Sequence, residues 1–272
     1  RTNPNVTIDA GSLERLLLCR DFVWNLLPEN LRDDIDQTVA RASVLLPETV
    51  ERSDVRNTPA ISFPKGLIDY TPHQKTIDTL LTAFREHRIC VVTYRSNPRA
   101  PVKTYSMLPL RLIAYREGLY LLGRRKEELD SSNGHYDTVL AVHRIKSLEM
   151  TDETVERLPK LPAGPPGNFG LIPRKPFRVA VAIKADAAAY VSERQWSSDQ
   201  KIEKRDDGSV VIHFSATDRI EVKAWVMGFG PLAELLAPQD LRDELGTALR
   251  VAAAQYVNGD ETTGNSGGVP DT

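Results

Sequence analysis

Hydrophobic and polar residues change their rhythm several times along the chain. Leu13, Leu16 and Leu17, with Phe22 and Trp24 beyond, follow Gly11-Ser12 at helical spacing. This predicts an amphipathic helix with Ser12 as its N-cap and Trp24 as a packing residue. Pro28 interrupts it. Leu31, Ile35, Val39, Ala42 and Leu45-Leu46 then mark a second helix from about Glu29 to Leu46, stopped by Pro47. Residues 1–9 read as extended, and 47–72 as a polar link with one short strand at Ile61–Phe63. Thr71-Pro72-His73-Gln74 opens a third helix whose buried stripe is Ile77, Leu80, Leu81 and Phe84.

From Ile89 the pattern is that of strands. Ile89–Tyr94 is one and Met107–Tyr115 a second. Arg116-Glu117-Gly118 makes a short turn into a third, Leu119–Leu122, so these two form a hairpin. After a polar loop, Asp130 to Asp137, the run Thr138–Ile145 reads as a closing strand. The periodicity predicts a compact antiparallel sheet with one helix.

Residues 158–176 hold six prolines and three glycines, which marks a linker. Beyond it the order reads βαββαβα. Phe177–Lys184 is a strand, Ala185–Arg194 a helix, and Gln200–Arg205 with Val210–Ser215 a hairpin across Asp206-Asp207-Gly208. Arg219–Met227 is a helix with Trp225 in its core face, Leu232–Leu236 a short strand, and Pro238–Tyr256 a last helix. That order predicts a ferredoxin-like α+β domain. The Gly/Thr/Asp-rich tail, 257–272, is expected to be disordered. The expected organisation is a helical spacer or dimerising segment (1–70), a small sheet domain (71–157), the linker, and the α+β domain (177–256).

Composition narrows the function classes. With 272 residues, 41% of them hydrophobic, the chain can bury more than one core. No run approaches the ~18 apolar residues of a membrane span, and no basic start precedes an apolar stretch. Cys19 and Cys90 are far apart, which fits buried thiols in a reducing compartment, so a cytoplasmic location is expected. The chain begins at Arg1, and a trimmed or partial chain is expected.

Charge is uneven. Residues 85–126 hold ten Lys or Arg against two acids, a local net of +8 in a chain of net −2. Such asymmetry points to an anionic partner; the plainer alternative is a solvated surface balanced by acidic neighbours in the fold. The histidines at 73, 87, 135, 143 and 213 show no zinc spacing, and no Walker loop, dinucleotide fingerprint or nucleophile elbow is present. No cofactor is implied. Nor does a recognition helix stand out, because Asp33, Asp34 and Asp36 make the second helix acidic where phosphates demand cations.

The ordered set Tyr94, Pro109-Leu110-x-Leu112, Gly118, Leu119-Tyr120-Leu121 and Arg144-Ile145 resembles the WYL domain of bacterial regulators. Leu119, Tyr120 and Leu121 occupy the name-giving positions, with Leu for Trp, and His143 stands where the family has an acidic or polar residue. Glu193-Arg194-x-Trp196, Gly208, Trp225-Val226-x-Gly228-Phe229-Gly230 and Pro238-x-x-Leu241-Arg242 resemble the C-terminal extension that often follows it. The resemblance spans residues 74–256. It implies an Sm-like, SH3-type barrel that senses nucleic-acid or nucleotide-like ligands, in a dimeric regulator whose operator-binding winged helix is not recognisable in this chain. The expected ligand-binding residues are Tyr94, Lys103, Tyr105, Tyr120, Arg124, His143 and Arg144, since guanidinium groups fork onto phosphate and tyrosines stack on bases. Arg194, Trp196, Arg219, Trp225 and Arg242 are the candidates for a second anion site or a gate on the first, with Trp225 read as core and Arg242 as the better interaction candidate. The alternative classes are an accessory nucleic-acid-binding module without operator specificity, which would bind single strands with steep salt dependence, and a phosphoester-acting enzyme, whose catalytic groups the sequence does not locate.

Overall fold

The computed structural model describes residues 9–44, 60–129, 137–161 and 167–257. The chain divides into two compact units, 1–160 and 161–272, with the boundary inside the Pro/Gly-rich stretch. Both mix helices with an antiparallel sheet.

The first unit begins with α1 (Ala10–Val23) and α2 (Glu29–Val44). The cap of α1 is Asp9, not Ser12: Ser12 N–H donates to Asp9 Oδ1 at 2.7 Å. An aspartate one turn earlier satisfies the orphan N–H better than the serine inside the helix. Leu13 and Leu17 pack against Val39 and Ala42, whereas Leu16 and Phe22 lie on the exposed side. Residues 60–64 form no strand. The extended reading of 1–8, the loop 130–136 and the tail beyond 257 lie outside the described residues.

A 3-10 turn at Thr71–His73 feeds α3 (Gln74–Glu86), which buries Ile77, Leu80 and Ala83; Leu81 is exposed. The strands that follow are β1 (Arg88–Tyr94), β2 (Lys103–Tyr115), β3 (Gly118–Arg125), β4 (Thr138–Ala141) and β5 (Ile145–Thr154). Their order across the sheet is β4-β3-β2-β1-β5, all antiparallel neighbours. The expected single strand 138–145 is broken by a 3-10 turn at Val142–Arg144, because the chain must pass there from one edge of the sheet to the other. No β4–β5 ladder joins the edges, so among the described residues the sheet is not a closed barrel. It is nonetheless strongly curved: Ala141 N–H at the end of β4 donates to Tyr94 Oη on β1, with two strands lying between them in the ladder, at 3.4 Å. The β2–β3 hairpin turns on Arg116 and Glu117, both with positive φ, while Gly118 already belongs to β3.

The core of this unit gathers Tyr70, Leu80, Val92, Met107, Leu121 and Val142 around α3. Tyr70 is 2% exposed, and its Oη accepts Leu119 N–H at 2.6 Å.

The second unit runs β6 (Phe177–Ile183), α4 (Ala185–Ser192), β7 (Lys201–Lys204), β8 (Val210–Ala216), α5 (Arg219–Met227), β9 (Ala233–Ala237) and α6 (Gln239–Val257). Its sheet order is β7-β8-β6-β9. The β7–β8 loop tightens on Gly208 (φ +80), whose N–H donates to Arg205 O at 3.1 Å. Asp218 caps α5 through the N–H groups of Ile220 and Glu221. The core is aromatic, with Trp225 between Phe169, Phe214, Trp196 and Phe229 at 5.0–5.7 Å between ring centres.

Candidate functional site

Strand register decides which of the seven expected residues share a face. Paired residues of an antiparallel ladder project to the same side. Tyr94 pairs with Lys103, Val92 with Tyr105, and Cys90 with Met107, which pairs in turn with Arg125. Tyr94, Lys103, Tyr105 and Arg125 therefore share the face of the core residue Val92. A register shift between Pro109 and Arg111 then resets β2 against β3, whose Leu119 and Leu121 are buried and whose Tyr120 and Arg124 point to the opposite side. His143 and Arg144 belong to neither face, since they sit on the 3-10 turn.

Local contacts assign each of the seven a place. Tyr94 is buried and holds β4 through Ala141. Tyr105 lies under the Arg125 guanidinium at 5.1 Å. Tyr120 packs edge-on against Tyr115, 6.4 Å between rings. Arg124 is largely buried and bound to Asp137, Nε to Oδ1 at 2.8 Å. His143 packs edge-on against Tyr70 at 6.4 Å, and its Nδ1 is buried without a hydrogen-bond partner among the described residues. Burial lowers the His143 pKa, with help from Arg144 and His73; burial likewise lowers that of His73, which Asp69 opposes and Lys146 reinforces. Both imidazoles thus favour the neutral form.

What the fold does bring together is cationic. Arg144 Nη1 donates to Ser96 O at 2.8 Å, and Arg95 N–H donates back to Arg144 O at 3.3 Å, so the 3-10 turn is tied to the β1–β2 loop. Arg95 Nε donates to Ala100 O at 3.0 Å, within that loop. Arg95, Arg99, Lys103, Arg144 and Lys146 are all exposed, and none meets a carboxylate among the described residues. The two stretches that supply them, 88–116 and 138–148, contain no Asp or Glu at all. Lys103 and Arg144 were expected here; Arg95, Arg99 and Lys146 were not singled out as ligand residues, though the acid-free stretches are the signal that finds them. Such a cluster repels itself unless an anion is near, and it suits phosphate.

The second-unit residues do not form an anion site. Arg219 is bound to Asp240 and Glu244, at 2.9 and 2.8 Å, and Arg242 to Glu234. Arg194 stacks on Tyr190, 3.6 Å from its ring centre, and Trp225 is in the core.

Family models match this chain in two places: the WYL domain over residues 75–150 and the WCX domain over residues 175–253. The chain carries a WYL domain followed by a WCX domain. The WYL match takes in α3 and all five strands of the first sheet down to Met150, and the WCX match the whole βαββαβ succession with most of α6. No curated protein matches. Two solved structures are similar at low identity. One is the proteasome accessory factor B/C (PafBC) of Arthrobacter aurescens, with a TM-score of 0.34 and 17% identity over 76% of this chain and 30% of that one. The other is a CRISPR Cas-related protein, with a TM-score of 0.48 and 15% identity over 81% of this chain and 57% of that one. The chain spans less than two thirds of either. No described helix is long and apolar enough to cross a membrane.

Proposed function

We propose that this chain is the ligand-responsive part of a dimeric DNA-binding transcriptional regulator, in which the WYL domain binds a nucleic-acid or nucleotide-like anion. The observation that carries the reading is the cluster of Arg95, Arg99, Lys103, Arg144 and Lys146, assembled from two acid-free stretches and unanswered by any described carboxylate. Tyr105 and Tyr120 supply aromatic surface on either side of the sheet for stacking. Arg124 and Tyr94 act as positioning residues, one holding Asp137 and the other β4. The first unit is read as an Sm-like sheet, curved but open. The second is read as ferredoxin-like from its βαββαβ order and its strand order β7-β8-β6-β9. The ligand shifts operator affinity only by as much as it prefers one arrangement of the dimer, and operator contacts come from a domain outside this chain.

The test is a fluorescence-anisotropy titration of the chain with short single-stranded oligonucleotides at two salt concentrations, repeated on Arg144→Ala and Tyr120→Phe. Binding that weakens with salt and is lost in Arg144→Ala, with circular dichroism unchanged, supports the reading. No binding at low salt overturns it for oligonucleotides.

A further inference from the structure

Two 3-10 turns of the first unit bring a histidine each to the same tyrosine. His73 ends the turn Thr71–His73, and His143 is the middle of the turn Val142–Arg144. Both imidazoles pack edge-on against Tyr70, at 6.3 and 6.4 Å between ring centres. Tyr70 is itself fixed in the core by Leu119 N–H. Each histidine adjoins a member of the exposed cationic cluster: His143 faces Arg144 and His73, and His73 faces Lys146 and Asp69. Asp69 accepts Thr71 N–H at 2.8 Å and is approached by Arg32 of α2, while Tyr70 faces Tyr120.

In the free protein a proton on either ring is poorly held. Burial already disfavours the charged form of both. On His143 the proton would sit beside Arg144, and Nδ1 is buried with no acceptor among the described residues. On His73 it would sit at the N-cap of α3, where the helix dipole places partial positive charge. A phosphate that engages Arg144 and Lys146 puts negative charge beside the very cations that repel those protons.

We propose that anion binding at the cluster is proton-linked, His73 and His143 each taking up a proton as a phosphate-bearing strand binds. The proposal rests on the ligand reading above and adds acidity as a second input to it. Its sign follows from linkage. A group whose pKa the ligand raises strengthens binding fully below its free value, and that gain is lost as pH rises through its bound value. Raising one pKa by about one unit makes binding about tenfold tighter in the acid range. Histidine is the side chain whose ordinary titration falls between about pH 5 and pH 8. Phosphodiesters and thymine do not titrate there, so with an oligothymidylate lacking a terminal phosphate any pH dependence belongs to the protein.

Calorimetric titration of the whole chain with that oligonucleotide, near pH 5.5 and pH 7.5 and in two buffers of different ionisation enthalpy, tests this. Binding is expected to take up protons, and to be about tenfold or more tighter at the lower pH. His73→Gln and His143→Gln are each expected to remove about half of the proton uptake and the double exchange all of it, with far-ultraviolet circular dichroism unchanged. Equal affinity at both pH values with no proton uptake overturns the linkage and leaves the anion site standing. Uptake that survives the double exchange assigns it to other groups and overturns the role of the two histidines. Should an exchanged chain misfold, the imidazole C–H resonances of the unaltered chain decide: no histidine pKa raised by added oligonucleotide overturns the proposal. No binding at either pH overturns the anion site and the linkage with it.

Discussion

One end of the first sheet treats charge differently from the second sheet, although Arg88, Arg124 and Lys126 elsewhere in the first are paired with carboxylates. In the second unit Arg178 meets Asp199, Arg219 meets Asp240 and Glu244, Lys223 meets Glu244, and Arg242 meets Glu234. At one end of the first, five exposed cations meet no carboxylate among the described residues, and burial lowers the pKa of His73 and His143 beside them. Exposed ion pairs contribute little to stability, so the second unit stands mainly on its aromatic core. Unanswered charge kept at one edge marks a place for a ligand; paired charge marks a surface.

The sharpest break in this comparison is Trp225→Ala. Removing a ring that four other aromatic residues enclose is expected to cost about 3–5 kcal/mol, read as a fall in the urea midpoint of the second-unit amides by pulsed hydrogen-exchange mass spectrometry. Next comes Tyr70→Phe in the first unit. The buried Leu119 N–H loses its acceptor, at a cost of about 1–3 kcal/mol, visible in the first-unit amides by the same method. Replacing Arg95 and Lys103 by alanine leaves stability within about 0.5 kcal/mol, since both are exposed. The same change lowers the salt slope of oligonucleotide binding by roughly 1.4 if both touch phosphate.

Acid separates the units as well. His73 and His143 have pKa values lowered below 6.5, so the unfolded chain binds more protons in that range and the first unit loses stability as pH falls below 6.5. Asp199 is held below its ordinary 3.8 by Ser197 and Ser215 hydroxyls, then by the Ser215 N–H and Arg178, so its contribution is full above that value and lost only below it. Urea midpoints at pH 7 and pH 5 are therefore expected to differ in the first unit and coincide in the second, and a His73→Gln, His143→Gln variant to remove the difference. The smallest effect is at the hairpin. Arg116→Asn with Glu117→Gly places turn-forming residues where both φ angles are positive, and is expected to stabilise the first unit by up to about 1 kcal/mol, read as a higher urea midpoint, without touching oligonucleotide binding.

Much of this fold was legible in the sequence, for identifiable reasons. Arg219–Met227 was read residue for residue because Asp218 precedes a stripe of Val222, Trp225 and Val226. Strand β5 was missed because, as an edge, it carries Lys146, Ser147, Glu149, Asp152 and Glu153 among few apolar residues. The 3-10 turn was hidden inside the run Val139–Ile145, where four apolar residues followed by His143-Arg144-Ile145 read as one strand and only the position of β5 demands a turn. Of the candidate site, the excess of positive charge was plain, but its arrangement was not. A single register shift between Pro109 and Arg111 sends Tyr105 and Tyr120 to opposite faces, and nothing local announces it.

The pairing of β1 with β5 also sets an order of events. Strand β1 is hydrogen-bonded to β2 on one side and to β5 on the other, with Val91 opposite Glu149. As the chain leaves the ribosome, β1 to β4 can assemble while that second edge of Arg88–Tyr94 stays bare until residues near Thr154 emerge. During that interval Ile89, Val91 and Val92 present an apolar, unpaired strand to any neighbour. The hazard in synthesis of this protein is concentrated there, and slow translation between residues 125 and 154 would prolong it.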